Sequence, residues 1–398
     1  MSFLTFHLNK NHIFFPLLFL CYFLRDLVKE IIKNKQKKNK PLIFGNSAIV
    51  KSTLIEIYIL TPSNLIAIFL FCIERRRAKK SNISFNNEHE PIAKNKRLIH
   101  NERQFVTDKK LIKLIFLTST FNFIPRIITF FLFFFVDDDK EFGAAPVTSS
   151  VSIFYIIATS ILSRIFLSSY FYRHHFVSLG INLFSLIINI IIDIRNLDKK
   201  YNIILYIISM AGTISYSSAS ISGKFLLTYI SPYALELFIG VLQIFYLIIL
   251  FIPLYFIERN GENIFANFFD FFDGYQIVLL YLTSGVLVCA YGVFIWIIIN
   301  KFSPNDYALS MMVENTIDKL FEYALNPNTF TDNLFISIIQ IIIFILLIIG
   351  ICIHNEIIVI NKWGMDEYTK YKIAKKGDDD YRDIYNIDES LEDIINDD

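Results

Sequence analysis

Arg126 is the residue whose surroundings most demand an explanation. It follows Phe121-Asn122-Phe123-Ile124-Pro125 and precedes a further apolar run, IITFFLFFFV at 127–136. A charged side chain at the centre of a bilayer costs at least about 2.5–3.5 kcal/mol, so such a residue is kept for a function or for a partner. A guanidinium in that position can hold an anionic substrate group, such as a phosphate, through two parallel N–H···O bonds. It can equally pair with a carboxylate such as Glu236 or Glu314 as part of the scaffold, and the residues alone leave both open. Pro125 is expected to kink the helix and free a backbone carbonyl, as broken helices do near transport sites. Asn122, one turn earlier, joins Arg126 as a candidate.

A second group lies in SPNDYALSMMVENTIDKLFEYAL. Glu314, Asp318 and Glu322 recur every four residues and share one helix face, with Lys319 beside them. That face either lines a cavity, where one carboxylate carries a coupling proton, or ends in solvent at the membrane surface. Glu314 and Asn315 are the candidates for the first role; Asp318, Lys319 and Glu322 fit the second. Tyr216, with Ser217, Ser218 and Ser220, and Tyr291, followed by Gly292, are polar points in otherwise apolar stretches; close helix packing explains the small residues as well as binding does. His174 and His175 are expected in a loop, without a third ligand for a metal. Cys21, Cys72, Cys289 and Cys352 are far apart and lie in or beside apolar runs, so neither a disulfide framework nor a zinc site is indicated. No GxSxG, HExxH, P-loop or GxGxxG stands in a fitting context, and no enzyme is expected.

These residues must be positioned by elements that dissolve in lipid. The chain is 54% hydrophobic and 19% charged with a mean hydropathy of +0.47, and its 41 Phe outnumber its 37 acids. Soluble domains are about 45–50% apolar and roughly 25% charged, so one water-soluble core could not hide this surface. A net charge of +1 gives no reason to expect nucleic acid as a partner. Spans of about 20 apolar residues are expected at 110–136, 149–170, 175–194, 202–225, 232–257, 275–299 and 332–360. Weaker spans at 12–32, 47–73 and 304–325 bring the total to ten, with the first or ninth alternatively lying at the interface. No cleavable signal peptide is apparent in the first run. The basic segment from Glu74-Arg75-Arg76-Arg77 onward favours both termini on the cytoplasmic side, although KNKQKKNK at 33–40 in the first outer loop runs against this. The sequon Asn82-Ile83-Ser84 falls in the expected cytoplasmic loop.

Ten spans point to a duplicated five-helix unit with its midpoint in RNLDKKY, and an odd number of spans inverts the second copy. The expected division is an N-terminal half at 1–197, with a disordered cytoplasmic loop at about 78–108, a C-terminal half at 198–361, and an acidic cytoplasmic tail at 362–398. The fold class is an all-α polytopic membrane protein, about ten transmembrane helices as two inverted five-helix repeats.

Residues 208–257 contain a small-residue stretch from Ser215 to Ser222, then Lys224, then the turn Ile230-Ser231-Pro232 and a strongly apolar helix. Lys301-Phe302-Ser303-Pro304 introduces the polar stretch 305–325, and ATSILSRIFLSSY at 158–170 is followed by a fresh helix. Over roughly 150–360 this pattern resembles the drug/metabolite transporter superfamily, EamA-like and nucleotide-sugar-transporter-like members included. The Gly-x-Asn-Lys signature of Golgi nucleotide-sugar carriers is absent, as are the Pro and Glu of the penultimate helix of bacterial exporters. The resemblance implies a secondary transporter of a small polar or anionic metabolite, such as a nucleotide sugar or phosphorylated solute, working by alternating access. The alternative is a non-transporting polytopic protein (a receptor or assembly factor) or a membrane-embedded enzyme. The expected substrate site comprises Asn122, Arg126, Tyr216, Glu236, Tyr291, Glu314 and Asn315, among the third, sixth, seventh and ninth helices. No catalytic residue, metal or cofactor is expected. The expected partners are a small solute and the lipid bilayer, with homodimerisation left open, in a eukaryotic endomembrane (Golgi, endoplasmic reticulum or vacuole) in preference to the plasma membrane.

Overall fold

A computed structural model describes residues 4–6, 13–39, 47–84, 109–135, 145–167, 171–196, 202–257, 275–311, 314, 334–365 and 369. These residues are almost all helical. The helices are α1 (Phe14–Asn39), α2 (Ser47–Ser84), α3 (Lys109–Phe135), α4 (Ala145–Phe166), α5 (Arg173–Asn196), α6 (Asn202–Leu226), α7 (Pro232–Ile257), α8 (Tyr275–Lys301), α9 (304–311) and α10 (Leu334–His354). Two three-residue strands, β1 (Leu4–Phe6) and β2 (Ile358–Ile360), pair antiparallel, with Thr5 opposite Val359.

Nine of the ten expected segments overlap one of these helices, with several ends different, and of the tenth, 304–325, only 304–311 and 314 are among the described residues. The apolar run expected at 332–360 stops as a helix at His354, and its last residues form β2. Compositionally IIVI continues the run; the break comes at Glu356, whose φ of 59° is left-handed and cannot propagate a helix. At the other end of the chain, α2 continues to Ser84 and covers the start of the loop expected at 78–108; the rest of that loop and nearly all of the acidic tail lie outside the described residues. The polar break at 172–174 is not a loop throughout: α5 begins at Arg173, so His174 and His175 are in its first turn.

The turn motifs work as helix starts. Ser231 Oγ accepts the backbone N–H of Ala234 at 3.2 Å, which caps α7, and Pro232 stands first in the helix where a missing N–H does no harm. Ser303-Pro304 opens α9 with the same residue pair. Lys224, in the last turn of α6, donates to the carbonyls of Ile299, Asn300 and Phe302 at 2.9, 2.7 and 3.3 Å. It thereby satisfies the orphan acceptors at the C-terminal end of α8.

The chain forms two compact units, each discontinuous in sequence. The first comprises Ile13–Ala144 and Ser218–Ser303. Within it α1 packs on α8, α2 on both α7 and α8, α3 on α7, and α7 on α8. Its centre is apolar: Ile59 and Leu60 of α2, Phe123 of α3, Leu247 of α7 and Tyr281 of α8. The final turns of α6 belong to this unit too, where the hydroxyls of Ser222 and of Thr118 on α3 lie 2.8 Å apart. A side chain at Gly223 would collide with the Trp296 ring, and one at Gly285 with Pro62, so both glycines are sites of close helix approach. The second unit comprises Met1–His12, Ala145–Ser217 and Pro304–Asp398. In it α5 packs on α10 and on α4, and β2 lies against α10.

Both units carry apolar side chains on the outside as well as in the core. Leu65, Phe69, Phe116, Leu117, Phe245 and Leu279 of the first, and Ile161, Ile165, Phe176, Phe184 and Ile191 of the second, are exposed. Meanwhile Thr118, Ser119, Ser284, Thr159, Ser163 and Asn182 are fully buried. Hydroxyls turn inward and bond to the preceding helical turn, as Thr118 Oγ1 does to the Leu114 carbonyl at 2.8 Å. Apolar exteriors of this extent fit an apolar solvent. Among the described residues three helical segments are long and apolar enough to cross a membrane: Lys109–Ile128, Pro232–Leu250 and Val278–Lys301.

Candidate functional site

The expected site residues divide between the two units, and each unit offers a distinct polar centre. In the first unit, Glu236 lies one turn into α7. Its Oε2 accepts the indole N–H of Trp296 from α8 at 2.9 Å, and the Arg126 charge on α3 acts on it. Gly292 makes this possible: a Cβ there would occupy the place of the carboxylate. Glu236 is one of the two carboxylates that the sequence offers as a partner of Arg126. Arg126 and Asn122 are both half-buried, on the part of α3 that also carries the core residue Phe123.

Tyr291 has company that the sequence reading missed. Its ring lies 5.9 Å from that of Tyr22, and the Arg25 guanidinium carbon lies 4.5 Å from the centroids of both rings. Tyr22 and Arg25 are three residues apart on α1 and share a face, so the helix brings ring and cation together, and α8 supplies the second ring. Arg25 Nε donates to Asp26 Oδ1 at 2.9 Å. A cation held against two aromatic faces gains from both ring quadrupoles, most strongly where water is scarce. The signal was present as an arginine in the first half of a helix that begins IFFPLLFLCYFL. It was hidden because DLVKEIIK after it has the charge pattern of an interfacial helix.

The second unit carries hydroxyls instead of a buried guanidinium. Tyr216 of α6 and Tyr307 of α9 share a hydrogen bond of 2.9 Å between their hydroxyls, and Tyr155 of α4 packs its ring against both. Beside them Thr159 Oγ1 donates to Ser217 Oγ at 3.0 Å, and Ser160 and Ser163 both reach Asn305 Oδ1, at 3.4 and 3.5 Å. Tyr216 is therefore joined to the polar ninth helix. Glu314 is buried within this unit. Asn315, Asp318, Lys319 and Glu322 lie outside the described residues.

At one end of the second unit three imidazoles and two carboxylates converge. His174 Nε2 is 3.4 Å from Glu356 Oε1, and His354 Nε2 is 4.0 Å from Asp306 Oδ1. The His175 ring lies between, 4.0 Å from that of His174 and 4.6 Å from that of His354. His175 Nδ1 accepts the backbone N–H of Tyr172 at 3.1 Å, which fixes the ring at the start of α5. The left-handed backbone at Glu356 and again at Trp363, whose carbonyl accepts from Arg173 at 2.9 Å, folds the chain after α10 back onto α5. The expectation that His174 and His175 stand in a loop is corrected here: both are buried in the first turn of α5, and His354 of α10, also buried, lies against them. Among the described residues no group of three or more His, Cys, Asp or Glu side chains is arranged to hold a metal ion. All four cysteines are free.

No protein-family model matches the sequence, and no curated protein matches it.

Proposed function

We propose that the protein is a secondary transporter of a small anionic or polar metabolite, built as two inverted five-helix repeats and similar in plan to the drug/metabolite transporter superfamily. The observation that carries this reading is the pattern of helix packing. If α1–α5 and α6–α10 are copies, adding five to a helix number should tend to turn packed pairs into other packed pairs. Within the first unit α2–α8 becomes α7–α3, α1–α8 becomes α6–α3, and α2–α7 becomes itself; all of these neighbours occur. Within the second unit α5–α10 likewise maps onto itself. The other two packed pairs, α7–α8 and α4–α5, would become α2–α3 and α9–α10, which are not among the extensively packed pairs of the described residues, so five of seven pairs support the duplication. Interleaved inverted repeats with polar groups near mid-membrane are the design of carriers that work by alternating access.

The cargo class follows from the cations. Arg126 lies on a helix long and apolar enough to cross a membrane, and Arg25 packs on another. Half-buried arginines suit oxyanions, which they bind in a planar, bidentate geometry. A eukaryotic endomembrane is the proposed location. The test is uptake of labelled nucleotide sugars and phosphorylated sugars into proteoliposomes containing the purified protein. The reading predicts saturable uptake of at least one of them, reduced to background by Arg126→Ala in a protein that still elutes as a folded species. Uptake no greater than in protein-free vesicles across the whole panel contradicts it.

A further inference from the structure

We propose that Arg25 is the anion-binding group of the carrier, taking a phosphate or carboxylate oxyanion of the solute on its Nη1 and Nη2 nitrogens. The inference rests on the transport reading and names a residue and a ligand chemistry for it. Three observations converge. The first is depth: Tyr291 lies near the middle of Val278–Lys301, a segment long enough to cross a bilayer, and Arg25 sits on its ring. A guanidinium at that level is far from the headgroups that would otherwise hydrate it.

The second is orientation. Two tyrosine rings, one from its own helix and one from α8, each approach the guanidinium carbon at 4.5 Å and restrict how the group can turn. The third is unused capacity. Of the five N–H donors of an arginine, Asp26 takes the one on Nε; among the described residues Nη1 and Nη2 have no hydrogen-bond partner. The side chain is nonetheless only 16% exposed. Other basic groups are spent on protein acceptors: Lys224 on three carbonyls and Arg173 on the carbonyl of Trp363. Arg25 differs in presenting two parallel donors, the match for two oxygens of one phosphate or carboxylate. Asp26 offsets the charge while the site is empty and leaves that end of the fork open.

The test uses the full chain in phosphatidylcholine nanodiscs, titrated with inorganic phosphate and separately with acetate. Saturable binding of at least one is expected, lost in Arg25→Gln and weakened about tenfold or more in Arg25→Lys, which keeps the charge and loses the fork. Arg25→Gln leaves Asp26 without its cation and can destabilise the fold, so Arg25→Lys and Tyr291→Leu, which removes one restraining ring, carry the test independently. Both are predicted to weaken binding at an unchanged elution volume. Binding of equal strength in Arg25→Lys and Tyr291→Leu overturns the proposal, as does absence of binding in the unmodified protein. Nanodiscs containing phosphatidic acid form the second arm: if its phosphorus resonance responds to Arg25 and free phosphate does not bind, the ligand is a lipid headgroup and the solute assignment fails. Anion binding at Arg25 without uptake of any solute in proteoliposomes keeps the site and removes the transport reading. Uptake indifferent to Arg25→Lys does the reverse.

Discussion

The two units bury polar groups in different ways. The first holds charge among apolar helices: Arg25 between two rings, and Glu236 between an indole N–H and the field of Arg126. The second holds hydroxyls along its helices, from Thr159 and Ser217 to the Tyr216–Tyr307 pair. His174, Glu356, His354 and Asp306 gather instead where α5, α9, α10 and β2 meet. A buried charge that loses its partner is strongly penalised, whereas a hydroxyl bonded within its own helix brings a partner with it. The first unit should therefore be brittle and selective, and the second tolerant.

The sharpest way to break that contrast is at Gly292. Gly292→Val drives a branched side chain into the Glu236 carboxylate, and an overpacking loss of about 3 kcal/mol is expected, at the upper end for such changes. Thermal unfolding in mild detergent should show the largest drop of this series; an unchanged midpoint removes the close approach of α7 and α8. Next comes Trp296→Phe, which keeps an aromatic ring and withdraws the donor from the half-buried Glu236 carboxylate. About 2 kcal/mol should be lost, in the range for hydrogen bonds to charged groups. Ser231→Ala removes the cap of α7 together with the 2.7 Å bond from Ser231 Oγ to Glu74, and about 1 kcal/mol should go with them. The smallest effect is expected in the second unit, where Tyr216→Phe deletes a hydroxyl–hydroxyl bond worth about 0.5–1 kcal/mol. If Tyr216→Phe proves as damaging as Trp296→Phe, the contrast between the units is wrong.

Apolar run length made the helices readable from the residues, and serine–proline pairs marked where α7 and α9 begin. Both are local signals, written within a few consecutive positions. What stayed hidden depends on distance. β1 is three residues long and finds its partner at the far end of the chain, so it leaves no periodicity, and IIVI at 357–360 has the composition of the helix before it. His354 reaches His175 through a packing contact that spacing cannot reveal. Arg25 drew no notice in the sequence because its context is apolar only on the N-terminal side. Glu236, by contrast, was already named with Glu314 as a candidate, since an intramembrane cation invites a carboxylate and few lie within apolar spans.

The inverted duplication is the claim on which function, orientation and cargo all depend, and glycosylation mapping tests it most directly. Acceptor sequons introduced singly into segments 137–148 and 258–274 should be glycosylated in microsomes, because both would face the lumen. The native Asn82-Ile83-Ser84, and sequons placed in the tail beyond 370, should remain unmodified. A glycan at Asn82 or in the tail, with 137–148 or 258–274 unmodified, contradicts the account.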